Sequence, residues 1–193
     1  MDVRAEVFKR RGALLALPAL VLVVFGKPSP LSIGLGVPLA LAGEALRCWA
    51  VGYSGVTTRG DVVSAPQLVT AGPYAYVRNP LYVGNFLTAV GFTLAFTGGN
   101  ASPERAALAV LALGIMLAVY ATIVPHEEAF LRRTFGSAYD DYARRVPAVI
   151  PRLRPAQPAH GRYDASVIRH AESRTFAIFG AVLVALAVKA LVA

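Results

Sequence analysis

Two adjacent carboxylates, Glu127 and Glu128, follow an uncharged run at positions 106–125 in a chain with only 11 acidic residues. Carboxylates at the carboxyl end of a helix oppose the helix dipole, so they favour a nearby cation unless water reaches them freely. Adjacent helical side chains point about 100° apart. We therefore expect one carboxylate to face a cationic ligand or an arginine and the other to face solvent. His126 is the only other good metal ligand beside them, and no metal site is expected.

The second group of candidate residues is the segment LVTAGPYAYVRNPLYVG at positions 68–84. Gly72-Pro73 predicts a turn, and Asn79-Pro80 predicts a helix start with Asn as N-cap and Pro at the first position. The free N–H groups of a helix start attract an anion, and Arg78 adds a full charge. Aromatic faces lie nearby at Tyr74, Tyr76 and Tyr82. The same residues are also compatible with an interfacial aromatic belt beside a capped helix.

A short helix is predicted directly after Gly136, which ends the preceding one. Residues 137–140, Ser-Ala-Tyr-Asp, resemble a capping box with Asp in place of Glu, and Arg144-Arg145 suits a helix end. Charges and tyrosines are interleaved along it, so we expect this amphipathic helix to lie along a membrane interface.

Glu44 and Arg47 are two charges within an otherwise apolar stretch. Their spacing of three places them on one helix face, where they can pair. Charges inside a membrane span are costly and usually face a cavity or another helix. A structural ion pair and a substrate-facing role are both open.

The composition indicates the class of protein that must position these residues. The 193 residues are 56% hydrophobic and 16% charged, with one cysteine and a net charge of +8, and the mean hydropathy is +0.55. These values exclude a disordered chain and a disulfide scaffold, and they indicate a membrane protein. The sequence also lacks a P-loop and a Rossmann fingerprint.

Five membrane spans are predicted from the apolar runs, since a spanning helix needs about 20 apolar residues. They cover residues 10–29, 31–53, 80–101, 106–125 and 174–192. The chain is thus expected to be one all-α integral membrane domain, residues 1–193, with polar segments 54–79 and 126–172 between spans. The first apolar run could alternatively be a signal peptide.

The distribution of basic residues predicts the orientation. Fifteen of the 19 fall on one side of the predicted membrane, namely the amino-terminal Arg4, Lys9, Arg10 and Arg11, then Arg59 and Arg78, and nine arginines between positions 132 and 174. By the positive-inside rule that side, with the amino terminus, is cytoplasmic, and the carboxyl terminus lies opposite. Attraction to anionic lipid accounts for the basic surplus, so no nucleic-acid partner is expected.

The two polar blocks, LVTAGPYAYVRNPLYVG at 68–84 and HEEAFLRRTFGSAYDDYARRVPAVIPR at 126–152, together resemble the isoprenylcysteine carboxyl methyltransferase family. Its bacterial relatives, including phospholipid N-methyltransferase-like enzymes, are similar too. In that family the first block carries Arg-His-Pro-x-Tyr-x-Gly, and Arg78, Pro80, Tyr82 and Gly84 match it; the second block carries a Glu-Glu pair. Asn79 stands where His is common, and an amide cannot accept a proton near neutral pH.

The resemblance implies an all-helical membrane enzyme that binds S-adenosylmethionine, releases S-adenosylhomocysteine and needs no metal. The helix start with Arg78 suits the cofactor carboxylate, and Glu127 or Glu128 suits its ammonium. The expected cofactor-binding residues are Leu68, Val69, Gly72, Pro73, Tyr74, Tyr76, Val77, Arg78, Asn79, Pro80, Tyr82, Gly84, Glu127 and Glu128. The expected catalytic residues are Arg78, Glu127, Arg145 and Arg152, of which the last two could hold an acidic acceptor.

The expected reaction is methyl transfer to a lipophilic acceptor that enters from the bilayer, either a prenylcysteine-like carboxylate, a lipid amine or a thiol. Two alternatives are a membrane-embedded, NADPH-dependent reductase of the sterol reductase type and a non-catalytic family member.

Overall fold

The computed structural model describes residues 3–55 and 65–192, and these residues form seven α-helices and one 3-10 turn, with no strand among them. The helices are α1 Val3–Phe25, α2 Pro30–Ser54, α3 Pro80–Thr97, α4 Ser102–Phe135, α5 Ser137–Arg145, α6 Ser166–Ala171 and α7 Ser173–Val192. The 3-10 turn is Gly72–Ala75. Arg59, one of the residues used to predict the orientation, lies outside the described residues.

Four of the described helices, α2, α3, α4 and α7, are long and apolar enough to cross a membrane. The prediction of an all-α integral membrane protein is therefore confirmed, but the count of five spans is wrong for the described residues. Helix α1 has 23 residues, yet Arg4, Glu6, Lys9, Arg10 and Arg11 charge its first half. Its uncharged part is shorter than the roughly 20 residues that a span requires.

Helix α4 is longer than the predicted span 106–125. It has 34 residues and continues through Pro125 and the acidic pair to Phe135. A proline inside a membrane helix removes one backbone hydrogen bond, a loss that neighbouring groups can compensate. The acidic pair therefore lies within a helix rather than in a loop.

Helices α2 and α3 pack at very short distance through glycines. A Cβ atom added to Gly84 would lie 2.8 Å from the carbonyl oxygen of Gly43, and one added to Gly91 would lie 2.4 Å from the backbone nitrogen of Ala40. Small residues let membrane helices approach this closely. The glycines of α3, including Gly84, thus position α2 against it.

The start of α3 is predicted correctly at Pro80, but the predicted side-chain cap is absent. Asn79 occupies the N-cap position without a cap hydrogen bond. Its amide donates instead to Glu128 Oε1 at 3.3 Å and to the Ala148 carbonyl at 3.0 Å. These two hydrogen bonds of the amide nitrogen, one of them to a charged acceptor, fix the orientation of the side chain, and in this orientation its oxygen makes no cap hydrogen bond.

Helix α5 also begins where predicted, after Gly136, whose φ of 53° ends α4. The predicted capping box is wrong, because no side-chain cap forms at this helix start. Asp140 instead accepts a hydrogen bond from Arg132 at 2.7 Å. The ion pair links α4 to α5 across the turn.

Candidate active site

A cavity of about 530 Å³ lies between α1, α2, α3, α4 and α7 and is also lined by residues 65–69. The first parts of α1, α3 and α7 meet the last part of α4 at one end of it, so the charged lining residues gather there. The opposite end is lined by apolar residues of α1, α3, α4 and α7. The cavity is therefore polar at one end and apolar at the other.

Arg78 is held at the polar end by four hydrogen bonds. Its Nε and Nη2 donate to Glu128 Oε1 and Oε2 at 2.9 and 3.2 Å, and its Nη1 donates to the carbonyls of Ala143 and Val146 at 3.0 and 2.7 Å. Burial alone would lower the pKa of Arg78, but the hydrogen bonds and charge of Glu128 outweigh burial and raise it. Arg78 stays charged and joins α3, α4 and α5.

The two adjacent carboxylates differ in their contacts as well as in direction. Glu127 lines the cavity and accepts a hydrogen bond from the Tyr82 hydroxyl at 2.7 Å. Glu128 binds Arg78 and is not among the described residues that line the cavity. The prediction that the second carboxylate faces solvent is wrong for Glu128, because its side chain is only 18% exposed.

Arg11, a cationic residue of α1, lines the same end of the cavity. Its Nη1 donates to the Phe8 carbonyl at 2.6 Å, and its guanidinium lies 3.9 Å above the Phe8 ring. In the sequence, Arg11 belongs only to the amino-terminal basic group that predicts the orientation. No local motif marks it as a site residue, since its place in the cavity comes from the packing of α1 on α4.

A second charged group lines the cavity at its α2 side. Arg47 donates to Glu172 Oε2 at 2.7 Å, lies 3.5 Å from Glu44 and also donates to the Asn85 side chain. Glu44, Arg47 and Glu172 are 7%, 8% and 1% exposed. The predicted Glu44–Arg47 pair is thus present, but Glu172 is the closer partner. Glu172 has no motif around it and is brought in by the junction of α6 and α7.

Tyr74 supplies an aromatic wall of the cavity. Its backbone carbonyl accepts a hydrogen bond from the Tyr142 hydroxyl at 2.8 Å, and burial raises the pKa of Tyr74 to about 12. Gly72 makes this arrangement possible: its φ is +59°, and an added Cβ would lie 2.2 Å from the Tyr53 ring.

The structure brings together some of the predicted site residues and separates others. Of the predicted residues, those that line the cavity are Leu68, Val69, Tyr74, Arg78, Asn79, Pro80, Tyr82 and Glu127. Those that lie elsewhere among the described residues are Gly72, Pro73, Tyr76, Val77, Gly84, Glu128, Arg145 and Arg152. Tyr76, for example, packs against Trp49 with ring centroids 6.2 Å apart.

Arg145 and Arg152 do not reach the cavity. Arg145 Nε donates to the Asp141 carbonyl at 3.1 Å, and Arg152 Nη1 donates to the Arg145 carbonyl at 2.6 Å. Both side chains are bound to backbone oxygens near the surface, where they stabilise the segment after α5. This placement does not favour the predicted role of holding an acidic acceptor.

Residues 31–138 match the family model of the phospholipid methyltransferases. The chain is 39% identical over 124 residues to the nickel-cobalt-cadmium resistance protein NccN of Alcaligenes xylosoxydans xylosoxydans, covering 64% of this chain and 50% of that protein. It is 38% identical over 84 residues to protein-S-isoprenylcysteine O-methyltransferase of Schizosaccharomyces pombe, covering 44% and 33%. It is 36% identical over 98 residues to methanethiol S-methyltransferase 2 of Bradyrhizobium diazoefficiens, covering 51% and 34%.

The matches confirm the family resemblance predicted from the two polar blocks. The aligned part spans half or less of the length of these three relatives. No solved structure matches the chain.

Proposed function

Since the chain belongs to the phospholipid methyltransferase family, we propose that it transfers the methyl group of S-adenosylmethionine to a lipophilic acceptor at the cytoplasmic face of a membrane. Two similar proteins are named as an O-methyltransferase and an S-methyltransferase. The observation that carries the proposal is Glu127, a carboxylate in a cavity that joins a charged end to an apolar interior. The whole chain would act as one methyltransferase domain.

The residues at the polar end fit the chemical groups of S-adenosylmethionine. Glu127, oriented by Tyr82, would bind the ammonium, and the Tyr74 ring would pack against the adenine or the sulfonium. Arg11 lines the same end of the cavity and would bind the carboxylate. Arg78 donates to Glu128 and to two carbonyls. We assign Arg78 a positioning role: it holds the start of α3 and the end of α4, on which Tyr82 and Glu127 lie.

When bound, S-adenosylmethionine supplies an electrophilic methyl group on a positively charged sulfur. The chain's own residues contribute positioning and the exclusion of water, which an in-line displacement requires. A carboxylate or thiolate acceptor needs no base, whereas an ammonium or thiol must first lose a proton. We propose that the acceptor approaches through the apolar end of the cavity, its reactive atom pointing toward Glu127 and Tyr74.

The proposed orientation places the polar end of the cavity in the cytoplasm. Helix α1 presents its basic first half to this end, and the positive-inside rule assigns such segments to the cytoplasm. A cofactor from the cytoplasm and an acceptor from the bilayer would then meet inside one cavity. The carboxyl terminus of α7 would lie on the opposite side, because Lys189 near that end donates to the Val23 and Val24 carbonyls at the far end of α1. Helix α1 would therefore run across the bundle beside the four spans, although its uncharged part is short.

A ligand-dependent thermal shift in detergent tests the cofactor. We expect S-adenosylhomocysteine to raise the melting temperature and NADPH, the ligand of a sterol-type reductase, to leave it unchanged. Radiolabelled S-adenosylmethionine with a panel of prenylcysteine, lipid amine and thiol acceptors then tests the reaction. Stabilisation by NADPH alone would indicate a reductase, and no response to millimolar S-adenosylhomocysteine would reject the proposal.

A further inference from the structure

The cavity has a direction that follows the helices. Its lining on α1 runs from Phe8 to Leu22, and its lining on α3 runs from Pro80 to Phe96. Arg11 and Asn85 lie in the earlier part of the lining of their helices, and the later part is apolar except for Thr88 and Thr93. Helix α4 runs the opposite way, and its lining passes from Leu131 and Glu127 back to Ala112, which places the carboxylate at the same end of the cavity as Arg11.

We propose that the apolar end of this cavity holds one medium-length hydrocarbon chain of the methyl acceptor and that Ala112 limits the chain length. We call this end the tail chamber and define it by Leu15, Leu22, Phe92, Phe96, Ala112 and Phe179. The proposal rests on the proposed function, because it assigns the acceptor of that reaction to a chemical class.

The depth of the tail chamber follows from the helical rise. The lining spans Thr88 to Phe96 on α3 and Leu15 to Leu22 on α1, which at 1.5 Å per residue corresponds to about 10–12 Å. Half of a bilayer's hydrocarbon core is about 15 Å thick. The chamber is therefore shorter than a chain that spans a whole leaflet, and it suits a chain of about octyl length.

The floor of the tail chamber is closed. Leu22, Phe92, Phe96, Ala112 and Phe179 belong to one buried hydrophobic cluster. Phe96 is completely buried, and the rings of Phe92 and Phe179 lie 5.0 Å apart. A chain that reaches this cluster cannot extend further without displacing it. Ala112 has the smallest side chain of the five, so a larger residue there would shorten the chamber.

The chemistry of the walls favours a hydrocarbon tail over a head group. Thr88 and Thr93 are the polar residues among the described lining residues at this depth. The Thr88 hydroxyl donates to the Ala40 carbonyl at 3.3 Å, and the buried Thr93 hydroxyl has no hydrogen-bond partner among the described residues. A charged or strongly polar group would lose its hydration here without replacement. An apolar chain instead gains free energy in proportion to the area it buries.

The test uses the full chain in nanodiscs with two series of acceptors, alkyl thiols and S-alkylated N-acetylcysteines, each with butyl, octyl, dodecyl and hexadecyl chains. Two readouts are compared: the thermal shift caused by each acceptor, which needs no catalysis, and kcat/KM for methyl transfer. Ala112→Phe fills the floor and Phe179→Ala opens it. Ala118→Phe is the matched control, since Ala118 lies on the same helix and is exposed.

We expect the wild type to prefer octyl over hexadecyl by at least about tenfold, because steric fit in an apolar pocket discriminates at this level. Ala112→Phe should move the optimum to butyl and Phe179→Ala should move it to dodecyl. Ala118→Phe should keep the wild-type profile. If Ala112→Phe fails to fold, the shift in Phe179→Ala decides the question.

An unchanged chain-length profile in both cavity variants, with S-adenosylhomocysteine binding intact, would overturn the tail chamber. Equal use of octyl and hexadecyl by the wild type would also overturn it. Failure of the proposed function is a different result, namely no S-adenosylhomocysteine binding by the wild type. In that case the thermal shifts caused by the alkyl series still support or overturn the chamber.

Discussion

Arg78 and Glu128 form a two-point ion pair, with Nε–Oε1 at 2.9 Å and Nη2–Oε2 at 3.2 Å. This pair ties the residue before α3 to the end of α4, while the Ala143 and Val146 carbonyls fix the remaining side of the guanidinium. Because Glu128 is committed to Arg78, the adjacent Glu127 points to a different side and lines the cavity. One carboxylate is thus structural, and the other is available to a ligand.

Removing either member of this ion pair should destabilise the protein. We expect Arg78→Ala and Glu128→Gln each to cost about 1.5–3 kcal/mol, the range for a hydrogen bond to a charged group. The Arg78→Ala/Glu128→Gln double variant should lose less than the sum of the single losses, since the two side chains share one interaction. Thermal unfolding in detergent measures these losses. Reduced S-adenosylhomocysteine affinity in Arg78→Ala at unchanged stability would contradict the positioning role.

Glu127 and Glu128 should differ in their effect on cofactor binding. Glu127→Gln is expected to raise the Kd for S-adenosylhomocysteine by about 10–100-fold, as for the loss of a charge-assisted hydrogen bond. Glu128→Gln should change it much less. Glu104→Gln is the matched control, because Glu104 is half-exposed and pairs with Lys27 at 3.6 Å. Isothermal titration provides the affinities, and equal, small effects at both positions would remove Glu127 from the site.

Alanine substitutions should have opposite effects on stability at Gly84, which lies in the contact between α2 and α3, and at Gly114 of α4, which has free space around it. A Cβ at Gly84 would lie 2.7 Å from Arg47 Cγ and 2.8 Å from the Gly43 carbonyl oxygen, whereas one at Gly114 meets nothing within 4 Å. Gly84→Ala should therefore cost about 1–3 kcal/mol through overpacking. Gly114→Ala should stabilise the protein by up to about 1 kcal/mol through helix propensity. Thermal unfolding of both variants checks this, and tolerance of Gly84→Ala would show that the two helices can separate at no cost.

Burial of Tyr74 predicts a loss of stability in alkali. Its pKa is raised from 10.0 to about 12, so the folded state favours the neutral phenol. The stability that Tyr74 contributes in this way is fully present below pH 10, the pKa of its phenol in the unfolded chain. It is lost as the pH rises through 12, the pKa of the phenol in the folded protein. Tyr74→Phe, which cannot ionise, should lose less stability than the wild type over this interval. Melting temperatures measured against pH test this, with the exposed Tyr163→Phe as control; parallel curves for wild type and Tyr74→Phe would contradict it.

Much of the fold could be predicted from the sequence, because hydropathy and the residues that start or end a helix depend only on near neighbours in the chain. The apolar runs predicted α2, α3, α4 and α7, and Pro80 and Gly136 marked helix boundaries that the structure retains. Predictions failed where a charged partner came from elsewhere in the chain. Asn79 and Asp140 were expected to cap helices, but Glu128 and Arg132 bind them instead.

By itself, the sequence determined the membrane class, the helix order and the two polar blocks, since each depends on residue type and near-neighbour spacing. Only the tertiary structure decided which of Glu127 and Glu128 faces the cavity, because that depends on where the segment before α3 places Arg78. It also brought Arg11 and Glu172, which lack a motif, to the cavity from opposite ends of the chain. Long-range packing of helices sets such contacts, and no local pattern records them.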